Sequence, residues 1–184
     1  MRLKQRYEKE IRKELQKKLG LKNIMATPKI EKVCVNVGFG REVAGKGSSD
    51  RQKIAERIAE KLGLMTGQKP SLRKAKKSIA SFKLREGVEI GASVTLRGKR
   101  MYEFLEKLIY VVLPRKRDFR GISLSSIDEQ GNLTLGFKEY TPFPEVKIDK
   151  GLFGLELSVK TTAENRAQAI ELFRLMGFPL KENG

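Results

Sequence analysis

Few residues in this chain could carry covalent chemistry. In GFGREVAGKGSSD, Gly40, Gly45 and Lys46 have the GxxxxGK spacing of a phosphate-binding loop, where backbone N–H groups cradle a phosphate and the lysine reaches its oxygens. The match stops there, because Gly47 stands where a hydroxyl must reach magnesium and Ser48 comes one residue late. No later apolar strand ends in an aspartate that would supply the second metal anchor. Two readings stay open, a nucleotide site and a flexible Gly-rich loop from Gly40 to Ser49. Histidine is absent and Cys34 is the single cysteine, which removes the commonest general base, the commonest metal ligand and any internal disulfide. The sequence therefore names no catalytic residue, no metal ligand set and no cofactor.

The remaining resource is charge. Among 184 residues, 39 Lys and Arg against 22 Asp and Glu leave a net +17, which points first to a nucleic acid. Thr66 to Arg100 carries ten basic residues against Glu86 and Glu89, so nearly half of the net charge lies there. Residues 1–19 and Pro114 to Gly121 are also basic, whereas the last third from Ile122 is slightly acidic and is expected to lie outside the electrostatic footprint.

The elements that must position these charges follow from hydrophobic period. Leu3, Tyr7, Ile11, Leu15 and Leu19 predict a helix over 2–19, stopped by Gly20. Val33, Val35, Val37 and Phe39 alternate with Lys32, Cys34, Asn36 and Gly38 as a two-faced strand. Ser49 or Asp50 is expected to cap a helix carrying Ile54, Ile58 and Leu62, ended by Gly63. Val88, Ile90, Ala92, Val94 and Leu96 give a second strand whose other face is Glu89, Gly91, Ser93, Thr95 and Arg97. Met101 to Val112 form the most apolar helix and Pro114 ends it. Leu133, Leu135 and Phe137 give one further strand, Leu155, Leu157 and Val159 another, with the Pro-punctuated loop Thr141 to Asp149 between them. Thr161 and Glu164 are expected to form a capping box for a closing helix with Ala167, Ile170, Phe173 and Met176.

Every strand is two-faced, which predicts one α+β domain over 1–184: a mainly antiparallel sheet of about five strands, helices on one face and an open polar, basic second face. That open face presents Asn36, Ser93, Thr95, Arg97, Thr134 and Lys138, with donors for phosphates and ribose hydroxyls but no stacking aromatics. A solvated strand face rich in Ser and Thr would read the same way. Arg2 begins a charged N-terminus and the longest apolar run is Leu108 to Leu113, so neither a signal peptide nor a membrane span is expected.

Seven separate runs carry a family resemblance: TPKIEKVCVNVGFG, TGQKPSLRKAKKSIASFKLREG, IGASVTLRGKRMYEFLEKLI, LPRKRDFRG, GNLTLGFKE, FPEV and VKTTAENRAQAIELFRLMGFP. Together, in this order and over nearly the whole chain, they closely resemble the bacterial family of the fifth large-subunit ribosomal protein, which binds 5S rRNA. The resemblance implies a non-catalytic, cytoplasmic role in the large ribosomal subunit, helping to mount 5S rRNA in the central protuberance. It also implies as partners 23S rRNA, P-site tRNA, neighbouring large-subunit proteins and, across a bridge, small-subunit head protein thirteen, with no membrane. By position it assigns Asn36, Gly38, Gln68, Lys69, Thr95 and Arg97 to rRNA. It assigns Arg73, Lys74, Lys76, Lys77 and Ser78 to a tip that contacts tRNA, and Arg115, Arg117 and Arg120 to the subunit interface. Ile127, Glu129 and Gln130 around Asp128, and Arg41, depart from the family pattern. Two alternatives outside that role are a free-standing RNA-binding regulator and a nucleotide-binding enzyme using Gly45 and Lys46.

Overall fold

A computed structural model of the chain describes residues 2–147 and 151–181. Five strands form one sheet in the order β2-β3-β1-β5-β4, where β1 is Ile30–Gly38, β2 Ser71–Lys74, β3 Glu89–Leu96, β4 Leu133–Phe137 and β5 Leu155–Thr161. β2 runs antiparallel to β3, pairing Ser71 with Ser93 and Arg73 with Gly91. The chain divides into two compact units, and β1, β3, β4 and β5 each contribute residues to both. This is the expected α+β architecture with an antiparallel, open sheet.

The first unit comprises residues 2–33, 96–135 and 158–181. Helix α1 runs without a break through Leu3–Arg6, a wider π-type turn Tyr7–Ile11, and Arg12–Lys18, and the left-handed Gly20 follows it at φ 63°. Of its predicted stripe, Leu3, Tyr7, Ile11 and Leu15 are buried and Leu19 is half-buried. Removing four such side chains from water contributes on the order of 1.5–3 kcal/mol each, far more than helix propensity can. The Tyr7 hydroxyl keeps its hydrogen bond by donating to the Pro28 carbonyl at 2.9 Å. The apolar helix runs through Gly98–Lys107, Leu108–Val112 and Leu113–Arg115, and its stripe of Met101, Phe104, Leu105, Leu108, Ile109 and Val112 is buried. Pro114 sits inside its last short turn, where a missing N–H costs little because the helix is ending.

The closing helix Arg166–Met176 starts differently from expectation. Asn165, not Thr161, is the cap and accepts the Gln168 N–H at 3.0 Å, while Gln168 accepts the Glu164 N–H at 3.1 Å. Thr161 is still in β5, and its hydroxyl donates to the Gly131 carbonyl at 2.8 Å and accepts the Ala163 N–H at 3.2 Å, so it caps no N–H of the closing helix. The later start turns Ala169, Leu172, Phe173 and Met176 inward, with Ile170 half-buried and Ala167 exposed.

The second unit comprises residues 34–95, 136–147 and 151–157. Its long helix Ser48–Thr66 has Gly47 as a cap without a side chain, so neither Ser49 nor Asp50 caps it. Gly63 does not end it: the apolar stripe continues to buried Met65, and the left-handed turn falls at Gly67, φ 66°, whose N–H reaches the Gly63 carbonyl at 2.8 Å. The core of this unit also takes in Val35, Val37 and Phe39 of the β1 side and Tyr140, Phe143 and Phe153 of the Pro-punctuated loop region, all buried. Ile148 and Asp149 of that loop lie outside the described residues. Lys61 is buried too, donating to the Tyr140 hydroxyl at 2.7 Å.

Candidate nucleic-acid interface

Alternation decides what the sheet shows outward. In β1 the side chains of Val33, Val35 and Val37 are buried, while Asn36 and Gly38 are exposed and Cys34 is half-buried. In β3 Ala92, Val94 and Leu96 are buried, while Ser93 is half-buried and Thr95 exposed. Within the second unit these outward positions are tied together. Arg73 Nε donates to Ser93 Oγ at 2.8 Å, Gln68 Nε2 donates to the Thr95 carbonyl at 3.2 Å, and Thr95 Oγ1 lies 3.6 Å from Cys34 Sγ. Asn36, Gly38, Gln68 and Thr95 thus lie on the outward side of this unit, and Lys69 follows Gln68, exposed. A shallow groove of about 600 Å³ crosses it, lined by Asn36, Gly38, Arg73, Gly91, Gly154 and Glu156.

The two central glycines are not equivalent. A Cβ at Gly91 would meet the Val37 carbonyl oxygen at 3.2 Å, so the fold itself requires a small residue where β3 crosses β1. A Cβ at Gly38 would meet nothing within 4 Å, and neither would one at Gly136. Their lack of a side chain answers no internal need and leaves room for an external backbone.

Arg97 lies in the first unit, just past the end of β3, and is already engaged. Its guanidinium is 3.8 Å from Glu31, and Lys160 of β5 reaches the same carboxylate at 3.1 Å. The hydrogen bond from Lys160, followed by the charges of Lys160, Lys32 and Arg97, holds the Glu31 carboxyl below the usual carboxylate range. Glu31 and Lys32 are consecutive residues between buried Ile30 and Val33, so the strict alternation of β1 slips there and Glu31 comes onto the polar side. Lys160 therefore belongs with Arg97, although it comes from the acidic last third. The charge balance of a segment does not tell which face its basic residues occupy.

The predicted tip divides in two. Arg73 and Lys74 are strand residues, and Arg73 is pinned to the sheet face by Ser93, so it belongs with the sheet-face set rather than the tip. Beyond a bulge between Arg73 and Lys74, Ala75 is buried and holds the hairpin through Ala75 N–H to Val88 O, 2.8 Å, and Gly87 N–H to Ala75 O, 3.0 Å. Lys76, Lys77 and Ser78 are exposed, and the Ser78 hydroxyl accepts the Glu86 N–H at 2.9 Å. An Ile79 to Leu84 bridge and a tight turn at Ala80–Phe82 close the end, with Lys83 left-handed at φ 51°. Ile79 and Phe82 stand 42% and 64% exposed there. Sequence reasoning missed this apolar end; the signal was a phenylalanine in a basic, glycine-flanked run with no partner in the strand alternation.

In the turn Pro114 to Gly121, Arg115, Arg117 and Arg120 are all exposed. Among the described residues no ion pair involves Asp118, which instead adopts φ 54°, so a bracing Asp–Arg pair does not shape this turn. Its far end is fixed by Ile122 N–H to Pro179 O at 2.7 Å and Lys181 N–H to Ile122 O at 2.9 Å. Asp128, beside the divergent Ile127, Glu129 and Gln130, accepts both the backbone and side-chain N–H of Asn132 at 2.7 and 2.9 Å.

The GxxxxGK match fails in space as well. Gly40–Val43 is a helical turn rather than an open loop, and the Ala44 and Lys46 N–H groups are already spent on the Gly40 and Val43 carbonyls at 3.1 and 3.2 Å. Those two amides are thus turned into the chain's own hydrogen bonds rather than toward a phosphate. Among the described residues no group of three His, Cys, Asp or Glu could hold a metal, and no helix is long and apolar enough to cross a membrane.

Two family models match in sequence order: "Ribosomal protein L5" over residues 23–85, and the C-terminus model of the same ribosomal protein family over residues 89–180. The chain belongs to the ribosomal protein L5 family. It is similar to the large ribosomal subunit protein uL5 of Anaeromyxobacter sp. (strain Fw109-5), 48% identical with 98% of each chain covered. It is likewise similar to the proteins of that name from Halothermothrix orenii, 47% identical over 98% of each, and Moorella thermoacetica, 48% over 99% of each. Members of this family are structural ribosomal proteins rather than enzymes, so the chain is a large-subunit ribosomal protein of the cytoplasmic ribosome.

Proposed function

We propose that this chain binds 5S rRNA through the polar face of its sheet and helps mount it in the central protuberance, beside 23S rRNA and neighbouring large-subunit proteins. The observation that carries the reading is the groove with an exposed, internally unneeded Gly38 flanked by Asn36 and by Arg73. Such a surface lets a ribose-phosphate backbone come within hydrogen-bonding distance of the exposed Asn36 and of Arg73, which Ser93 already holds in place. Lys69 adds charge to this face of the second unit, and Arg97 offers a further cation in the first. The hairpin with Lys74, Lys76, Lys77 and Ser78 reaches toward P-site tRNA, where exposed Phe82 and Ile79 offer an apolar face to an unpaired base. The turn with Arg115, Arg117 and Arg120 reaches toward small-subunit head protein thirteen across the subunit bridge.

The test is a binding titration of the full chain against 5S rRNA, with tRNA and duplex DNA as competitors. Selective 5S rRNA binding with a steep salt dependence supports the reading. Equal competition by duplex DNA would reduce the face to a nonspecific polyanion surface.

A further inference from the structure

The Gly-rich loop Gly40 to Ser49 has no part in the sheet face or the hairpin end, yet it borders a cleft of its own. Gly45, left-handed at φ 72°, turns the chain so that the loop runs beside the hairpin, where a Cβ on that glycine would lie 3.9 Å from Lys83 Cδ. The resulting cleft encloses about 860 Å³ and is lined by Lys46 from the loop, Arg51 from the helix Ser48–Thr66, and Ser78, Lys83, Arg85 and Glu86 from the hairpin. All of these residues lie in the second unit.

Its charge is unbalanced, four cations to one carboxylate. Among the described residues none of Lys46, Arg51, Lys83 and Arg85 takes part in an ion pair, and Arg51 Nε has only the Gly47 carbonyl, at 3.4 Å. Nearby in the same unit Arg57 is matched by Glu42 at 3.6 Å, which the cations of the cleft are not. A concave wall that gathers like charges from three separate segments focuses a positive potential and is relieved only by an incoming anion. The chemistry of that anion follows from the lining. The donors are long side chains spread along a cleft rather than clustered backbone amides, and no aromatic side chain lines it to hold a base. This suits successive phosphates of a strand better than a single nucleotide.

We propose that this cleft is a second RNA-binding site, distinct from the sheet face, which grips the phosphate backbone of an RNA strand through Lys46, Arg51, Lys83 and Arg85. It rests on the reading of the chain as an RNA-binding protein, but on none of the sheet-face residues. The double variant Lys46→Gln, Arg85→Gln tests it, since both side chains are exposed and make no hydrogen bond the fold needs. The full chain is titrated against three probes, 5S rRNA, 23S rRNA and tRNA, over a range of salt, with thermal melting as a check on folding. The variant should melt as the parent does, lose about tenfold in affinity for at least one probe, and show a log–log salt slope shallower by roughly 1.5, the loss of two phosphate contacts. A loss confined to tRNA makes the cleft an extension of the hairpin's target, and a loss on 5S or 23S rRNA makes it an anchor to the subunit. Unchanged affinity and slope for all three, in a folded variant, overturn the proposal. A parallel variant, Asn36→Ala with Lys69→Gln, separates the two failures: if only it weakens binding, the cleft proposal alone falls, and if neither variant does, the RNA-binding reading of the sheet falls as well.

Discussion

Gly38 and Gly91 allow the interface to be tested apart from the fold. Gly38→Val adds a side chain where a Cβ meets nothing within 4 Å and where φ is not left-handed. Folding should be unchanged or gain as much as about 0.5–1 kcal/mol from replacing glycine by a strand former. The same methyl groups would stand in the groove beside Asn36 and Arg73 and hold a ribose-phosphate backbone off the surface. Losing one contact to RNA costs about 1–3 kcal/mol, so affinity for 5S rRNA should fall by about fivefold to 150-fold. Gly91→Ala should behave in the opposite way. Its Cβ would lie 3.2 Å from the Val37 carbonyl and 3.7 Å from Arg73 Cβ, so the strands must shift. Such overpacking costs roughly 1–3 kcal/mol, and each kcal/mol lowers Tm by about 2–4 °C for a chain of this size. Thermal melting and a 5S rRNA filter-binding titration on both variants give the comparison. If Gly38→Val folds normally and binds 5S rRNA as tightly as the parent, the open face is not the interface. If Gly91→Ala melts with the parent, close approach of β3 to β1 is not what that glycine provides.

Further outcomes follow from other parts of the structure. Replacing Lys74, Lys76 and Lys77 together by Ala should change 5S rRNA affinity by less than about 1 kcal/mol while lowering tRNA retention on assembled ribosomes, and the reverse pattern would move the hairpin to the rRNA surface. Arg117→Glu should leave melting and 5S rRNA binding intact but loosen subunit association at limiting magnesium; undiminished association would count against the bridge role. Glu31 is held below the carboxylate range chiefly by the Lys160 hydrogen bond, so its contribution is present at neutral pH and is lost as pH falls through its lowered folded value. Carboxyl NMR should show Glu31 titrating below the ordinary glutamate value and moving up in Lys160→Met, and an unmoved midpoint would dissolve the Arg97–Glu31–Lys160 cluster. Burial, then the neighbouring Tyr7 and Glu8, push the Tyr102 phenol up to about 12. Stability should therefore be intact below pH 10, the ordinary tyrosine value, and decline as pH rises from there toward 12, which alkaline unfolding of the parent and Tyr102→Phe would reveal.

The sequence by itself determined much of this molecule, because hydrophobic period is a local property of the chain. The stripe Leu3, Tyr7, Ile11 and Leu15, the stripe Met101 to Val112, and the apolar sides of β1, β4 and β5 are buried as their spacing demands. β3 follows from Ala92 onward, while Val88 and Ile90, nearer the hairpin, are half-buried. Those periods also set which residues face outward, and so brought Asn36, Gly38 and Thr95 to one surface. Helix ends were less legible. Gly63 reads as a helix stop, yet the stripe runs on to buried Met65 and the stop falls at Gly67; Thr161 reads as a cap, yet it ends β5 and its hydroxyl accepts the Ala163 N–H instead. What only the tertiary structure decided is which charges meet. Arg73 is one of four close-spaced cations in sequence, but strand pairing set it opposite Gly91 and gave it to Ser93, away from the hairpin end. Glu31, Arg97 and Lys160 lie far apart along the chain, and their cluster exists because three strands lie side by side. Lys46 and Arg85 share a cleft because the loop folds back beside the hairpin. Electrostatic neighbours depend on distance through space, and composition carries no record of it.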